Sequence, residues 1–231
     1  MAKTHMTRRA FLAASTLLLA GCGAKQDDAP TETKEEASAQ AEDAQATQEP
    51  APSDTGDAAA TGSRTLVVFY SRADENYPNE WLEVGHTKVM AGYIAEALGA
   101  DTYEITPVEA YPEGYDDCCD VASQEQKVDA RPAIAGDLPD VSGYDVVSIG
   151  CPIWWGCEPM IVRTFLDGVD LSGKTIVPFT THGGSGLGSV PANLQAAIPN
   201  AQFLDGLAVA GTSVDGARDE VTTWAKGLAL A

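Results

Sequence analysis

Beyond Gly62 the chain alternates short, continuously apolar runs with longer stretches in which apolar residues recur at helical spacing. Thr65-Leu-Val-Val-Phe-Tyr70 is unbroken and rich in branched and aromatic side chains, as expected of a central parallel strand covered on both faces. Thr87 to Leu98 carries the helical period, and Gly99 supplies its stop. Asp101 to Thr106 alternates as a shorter strand; a helix is expected over Tyr115 to Val128, broken at Ala130-Arg131-Pro132. Further strands are predicted at Tyr144–Gly150, Thr175–Thr181 and Ala201–Val209. Further helices are predicted at Pro159–Leu166, Ser189–Ile198 and Val214–Leu228. Five strands alternating with five helices make an α/β fold, a three-layer sandwich around a parallel sheet, and no internal repeat points to a solenoid.

The first 62 residues do not share this pattern. Lys3, Arg8 and Arg9 precede the apolar run Phe11 to Ala20, which is too short to span a bilayer comfortably and reads as an export signal over residues 1–21. The paired arginines resemble a twin-arginine signal, and Leu19-Ala-Gly-Cys22 resembles a bacterial lipobox, which would make Cys22 the lipidated first mature residue. From there to residue 62 the composition is Ala, Gln, Glu, Asp, Thr and Pro, with no side chain able to anchor a core. This segment is expected to be a disordered acidic tether. Residues 63–231 are long enough for one domain with a sizeable core. The expected location is therefore the outer face of the cytoplasmic membrane of a bacterial cell envelope, with the lipid as the sole membrane contact.

The formal net charge is −20, and the domain alone holds nine Lys or Arg against 24 Asp or Glu. Such acidity argues against nucleic acid as a partner and favours proteins with basic docking surfaces. Past Cys22 the cysteines are Cys118, Cys119, Cys151 and Cys157, with neither zinc-ligand spacing nor a nearby histidine, so no metal site is expected. Outside the cytoplasm, Cys151 and Cys157 are the pair considered for a disulfide.

Chemistry should sit where the parallel strands end, because ligands of open α/β sheets bind outside the carboxyl ends. After the first strand, Ser71-Arg72-Ala73 and, past a longer excursion, His86-Thr87 at a helix start offer hydroxyls and backbone N–H groups suited to an anion. The plainer alternative is that these residues cap a helix and begin a turn. After the third strand comes Cys151-Pro152-Ile153-Trp154-Trp155-Gly156-Cys157. Consecutive side chains on an extended segment point to opposite sides, so at least one indole should face solvent or ligand, unless it only caps a hydrophobic edge. After the fourth strand, Thr181-His182-Gly183-Gly184-Ser185-Gly186 allows close backbone approach, or merely a special turn. An anion cradle, an aromatic platform and a glycine-rich wall at one sheet edge suit a planar cofactor with a phosphate tail.

Gly150-Cys-Pro-Ile-Trp-Trp-Gly156 with Pro159 and Thr164-Phe-Leu166, then Ser172-Gly-Lys-Thr175 and Thr181-His-Gly-Gly-Ser-Gly186, resembles the flavodoxin family over nearly all of residues 63–231. That resemblance implies a five-stranded sheet in order 2-1-3-4-5 and bound FMN. It implies that Ser71, Arg72, Ala73 and Thr87 hold the phosphate, with His86 where Asn is usual. It implies that Pro152, Ile153, Trp154, Trp155 and Gly156 border the isoalloxazine, and that Thr181, His182, Gly183, Gly184 and Ser185 form the third loop. An insertion from about Asp74 to Val84 interrupts the family's compact phosphate loop. No catalytic side chain is expected, since the flavin performs the chemistry. The function implied is electron transfer by a lipid-tethered flavoprotein. An FMN-dependent NAD(P)H:quinone-type oxidoreductase is the alternative, and a non-redox binding or sensor module the third.

Overall fold

A computed structural model describes residues 63–230. The signal-type segment 1–21, Cys22 and the tether to residue 62 lie outside the described residues. Parallel strands β1 (Thr65–Phe69), β4 (Asp101–Glu104), β5 (Val146–Pro152) and β6 (Thr175–His182) form the body of one sheet. Short strands β7 (Gln202–Phe203) and β8 (Leu207–Ala210) both pair with β6. The order is β4-β1-β5-β6, with β7 and β8 following one another along the outer edge of β6. Five helices intervene or follow: α1 (His86–Leu98), α2 (Tyr115–Lys127), α3 (Met160–Gly168), α4 (Val190–Ala197) and α5 (Arg218–Gly227).

The central strands β1, β5 and β6 are buried on both faces, and alternation along β1 shows how. Leu66, Val68 and Tyr70 pack with Ile161, Val162 and Phe165 of α3 and with Val190 and Leu194 of α4. Val67 and Phe69 pack with Met90, Ala91 and Ile94 of α1 and with Val221 and Ala225 of α5. The side-chain period of two thus sends successive residues into two separate cores, making the three layers expected from sequence.

Two features differ from the sequence expectation. The single strand expected over Ala201–Val209 is split, with Leu204, Asp205 and Gly206 outside the ladder. The reason lies in β6. Leu204 N–H bonds the Ile176 carbonyl, so Ile176, and two residues on Pro178, turn their backbone polar groups toward this outer edge. Pro178 has no N–H to give, and the ladder lapses there. The other feature is an antiparallel hairpin inside the insertion, β2 (Asp74–Asn76) and β3 (Glu80–Leu82), joined through Tyr77-Pro78-Asn79. The Tyr77–Pro78 peptide is cis, and Asn79 takes a left-handed φ of 68°, which Asn tolerates better than most side chains. Three-residue strands without an alternating apolar face leave no periodic signal.

Among the described residues no helix is long and apolar enough to cross a membrane. Cys118, Cys119, Cys151 and Cys157 are all free thiols, so the considered Cys151–Cys157 bridge is not formed.

Candidate functional site

The carboxyl ends of β1, β5, β6 and β8 surround a cavity of about 610 Å³. Its size lies within the usual range for small-molecule sites, roughly 300–1,000 Å³. Of the residues singled out in sequence, Arg72, His86, Pro152, Ile153, Trp154, Trp155, Gly156, Thr181, His182, Gly183, Gly184 and Ser185 line it. Ser71, Ala73 and Thr87 are set behind the wall. Ser71 Oγ accepts the N–H of Lys88 at 3.0 Å, and the Ala73 carbonyl accepts from Asn76 Nδ2 at 2.9 Å. Thr87 is buried, its hydroxyl 2.7 Å from that of Thr181, which joins the start of α1 to the end of β6.

At the α1 end, the N-cap Gly85 has no side chain to cap the helix, Ser71 Oγ takes the Lys88 N–H from outside it, and no acidic residue stands in the first turn. Lys88 and Val89 donate to the Gly85 carbonyl, whereas the N–H groups of His86 and Thr87 meet no acceptor among the described residues. A helix N-terminus in this condition favours an anion. Gly85 is required because a Cβ there would lie 2.3 Å from both the Arg72 carbonyl and Ser71 Oγ. His86 Nε2 lies 3.6 Å from Glu80 of the inserted hairpin, and its Nδ1 rests against Gly211.

Arg72 is buried, with its guanidinium turned onto backbone carbonyls. Nη1 donates to Glu75, while Nη2 donates to Pro112 and Glu113, both at 2.6 Å. Its Nε is buried with no partner. The Glu75 carboxylate in turn accepts the N–H of Tyr115 at 3.0 Å, satisfying an orphan donor at the start of α2. Insertion and α2 are therefore held to each other through Arg72 and Glu75.

The second loop resolves the Trp-Trp ambiguity. Trp154 and Cys157 exchange backbone hydrogen bonds of 2.9 and 3.1 Å around a two-residue turn at Trp155-Gly156, whose φ angles are 50° and 85°. Two positive φ values in a row define the type I′ hairpin turn. Gly156 adopts this freely; Trp155 is held there at a cost of about 1–2 kcal/mol. Trp154 packs inward, edge-on to Tyr70 at 5.5 Å and to Tyr111 at 4.9 Å. Trp155 is 63% exposed and is steadied by an indole N–H bond of 2.9 Å to the Cys119 carbonyl on α2.

Behind this turn sits Glu158, 1% exposed. It accepts from Arg163 Nε at 2.8 Å and from Asn193 Nδ2 at 3.1 and 2.9 Å. Ser189 N–H reaches the Gly156 carbonyl at 2.8 Å, so the segment leading from the third loop into α4 grips the turn as well. The third loop is drawn in by Thr180, whose hydroxyl donates to the Gly186 carbonyl at 3.0 Å. His182 Nδ1 accepts the Gly184 N–H at 2.9 Å, and burial lowers the His182 pKa.

Sequence reasoning missed part of the wall. Asn76, Tyr77 and Pro78 come from the insertion, Tyr115, Cys118, Cys119 and Ala122 from one face of α2, and Gly211 and Thr212 from beyond β8. The last pair follows from the same strand-end rule applied to the final strand. The α2 residues sit at helical spacing, and their period was a usable signal. Burial pushes the Cys118 thiol up to about 11, and desolvation with the neighbouring Cys119 raises the Tyr115 phenol to about 12.

A family model described as Flavodoxin matches residues 81–228. The chain belongs to the flavodoxin family. The match opens inside the inserted hairpin, so β1 and Ser71 to Ala73 precede it, while His86 and Thr87 fall within it. Two solved structures from Bacteroides, provisionally described as flavoproteins, extend the flavodoxin comparison. That from Bacteroides uniformis ATCC 8492 is 31% identical, with a TM-score of 0.59, covering 71% of this chain and 99% of its own. That from Bacteroides eggerthii DSM 20697 is also 31% identical, with a TM-score of 0.55, covering 69% and 98%. A flavoprotein from Lactobacillus acidophilus NCFM, solved in complex with FMN, shares the fold at 21% identity and a TM-score of 0.52, covering 67% of this chain and 97% of its own. No curated protein matches the chain.

Proposed function

We propose that this protein binds FMN at the strand-end cavity and serves as a flavodoxin-like electron-transfer protein. One observation carries the reading: in a chain of this family, the three loops expected to hold a flavin converge on one cavity at the carboxyl ends of β1, β5 and β6. The residues present fit FMN. Arg72 Nε and the N–H groups of His86 and Thr87, which meet no acceptor among the described residues, are donors that a phosphate would satisfy. The type I′ turn presents Trp155 as an exposed aromatic, and Gly184, with nothing within 4 Å of where a Cβ would lie, leaves room for a ring system to approach backbone. When bound, FMN would supply one- and two-electron chemistry.

The protein's part is to orient that group and set its surroundings. Pro152 to Gly156 would border the ring, His182 to Ser185 would close the opposite wall, and His86, Thr87 and Arg72 would hold the phosphate end. The acidic domain opposes accumulation of negative charge on a bound ring, favouring a low potential. The same acidity supports partners with basic docking surfaces. For location, the twin-arginine-type and lipobox-type segments support export as a folded protein and anchoring through Cys22 on the outer face of the cytoplasmic membrane. Folded export suits a cofactor inserted before translocation.

The test is an absorption and fluorescence titration with FMN. Stoichiometric binding with quenched flavin emission and reversible reduction is expected. Absence of binding to the folded protein would refute the cofactor reading. Growth in globomycin, followed by fractionation, tests the anchor, because an unprocessed precursor is expected if Cys22 is lipidated.

A further inference from the structure

We infer that Tyr77, at the tip of the inserted hairpin, is an aromatic contact for the planar ring of the bound cofactor, complementing Trp155 from a different element. This rests on the flavin reading above, and deepens it by giving the insertion a role at the ring rather than at the phosphate alone.

Tyr77 and Trp155 are 59% and 63% exposed, and both line the same cavity. Single exposed aromatics are ordinary on protein surfaces, but two lining one cavity form a platform for a flat ligand. The third loop, His182 to Gly188, contains no Phe, Tyr or Trp. In its place Gly183 provides a seat: a Cβ on Gly183 would lie 3.0 Å from Tyr77 Cδ1 and 3.4 Å from Cε1. The tip of the hairpin therefore lies on the very loop that closes the cavity.

The two aromatics are also joined around the cavity wall. Tyr77 and Tyr115 have ring centroids 6.3 Å apart at 44°, and Tyr115 stands one helical turn before Cys119 on α2. The carbonyl of that same Cys119 receives the indole N–H of Trp155. The base of the hairpin is fixed as well. Arg72 binds the Glu75 carbonyl, Asn76 Nδ2 bonds the Ala73 and Asp74 carbonyls, and Glu80 Oε2 lies 3.6 Å from His86 Nε2. Tyr77 is thus presented from an anchored support, which limits the entropy lost on stacking. Trp81 on the same hairpin is 58% exposed yet does not line the cavity, and so serves as an internal control.

The test titrates the full chain with FMN and, separately, with riboflavin, following flavin emission. Tyr77→Ala should weaken both flavins by about ten-fold or more and reduce quenching, by analogy with the loss of a stacked aromatic under bases. Tyr77→Phe should retain both properties. Gly183→Ala, which crowds the Tyr77 ring, should show a smaller loss of the same kind. Trp81→Ala should behave as the parent. Tyr77→Ala binding both flavins within two-fold, with quenching intact, would overturn the assignment. So would a loss confined to FMN, which would place the effect at the phosphate, or an equal loss in Trp81→Ala, which would assign it to the hairpin as a whole. If the parent binds neither flavin, the cofactor reading fails first and this inference with it; if it binds both and only the Tyr77 pattern is absent, the cofactor reading stands.

Discussion

Replacing Glu158 tests whether the aromatic turn is held from behind. The carboxylate is 1% exposed and accepts three hydrogen bonds, one from Arg163 and two from Asn193. Glu158→Gln keeps the volume but removes the charge and turns one acceptor oxygen into a donor facing the Asn193 amide. Hydrogen bonds to charged groups contribute about 1.5–3 kcal/mol each, and an unpaired buried partner costs about 1–3 kcal/mol. Arg163 is 32% exposed, so water restores part of what it loses. We therefore expect Glu158→Gln to destabilise by about 2–3 kcal/mol and Glu158→Ala by about 3–4 kcal/mol, the latter leaving Arg163 only its longer 3.5 Å contact with Asp129 and depriving Asn193 of its carboxylate acceptor. Chemical denaturation with unchanged slope is the assay. Asn193→Ala should cost about 1 kcal/mol, and the double substitution should cost less than the two together, because one network is removed once. Loss of near-ultraviolet circular dichroism from Trp154 and Trp155 should accompany the stability loss, since Cys157 and Glu158 adjoin the turn. A Glu158→Gln protein within about 0.5 kcal/mol of the parent, with the aromatic signal intact, would refute the argument.

Other consequences are open to direct measurement. Gly150→Ala would place a Cβ 2.0 Å from Cζ of the fully buried Phe179, and should destabilise by about 3 kcal/mol or fail to fold, as read by thermal unfolding. Trp155→Gly relieves the strained φ of 50° while losing the bond to Cys119, so stability should change by no more than about 1 kcal/mol while flavin affinity falls at least ten-fold. The lowered His182 pKa means that the unfolded state takes up a proton first as pH falls. Its contribution is complete above about pH 6.5 and is lost as pH drops through the lower folded value, so the protection of the Gly184 amide, taken relative to its intrinsic exchange rate at each pH, should fall there, and no such pH-dependent fall should appear in His182→Ala. Among the thiols, buried Cys151 and Cys118, both raised by burial, should resist alkylation in the native protein while the partly exposed Cys119 reacts first.

The layers were legible because burial writes itself into periodicity. Val67 and Val68 fill cores on opposite faces of the sheet, and a strand buried on both faces must be apolar throughout. The strand-end rule then located most of the cavity. It did not distinguish the two indoles, because their division depends on a backbone reversal at Trp155 that a tryptophan does not advertise. Nor did it separate Thr87, which faces Thr181, from His86, which faces the cavity, since adjacent residues at a helix start point in different directions. The break after Phe203 was encoded in Pro178, a residue of the neighbouring strand, and so was out of reach of any reading made along the affected segment alone. Tyr77 and its hairpin were missed because their order comes from Arg72 and Glu80 contacts rather than from a repeating pattern.

The clamp at Arg72 has a bearing on how this lineage could change. Among the described residues no carboxylate forms an ion pair with it; carbonyl oxygens from residues 75, 112 and 113, with a longer contact to residue 114, solvate it instead. Deleting the hairpin would strip one of those oxygens from a buried guanidinium and leave Glu75 missing from the start of α2. Ancestral or engineered forms with the shorter loop should therefore lack arginine at position 72. The arginine and the hairpin should come and go as a single heritable unit.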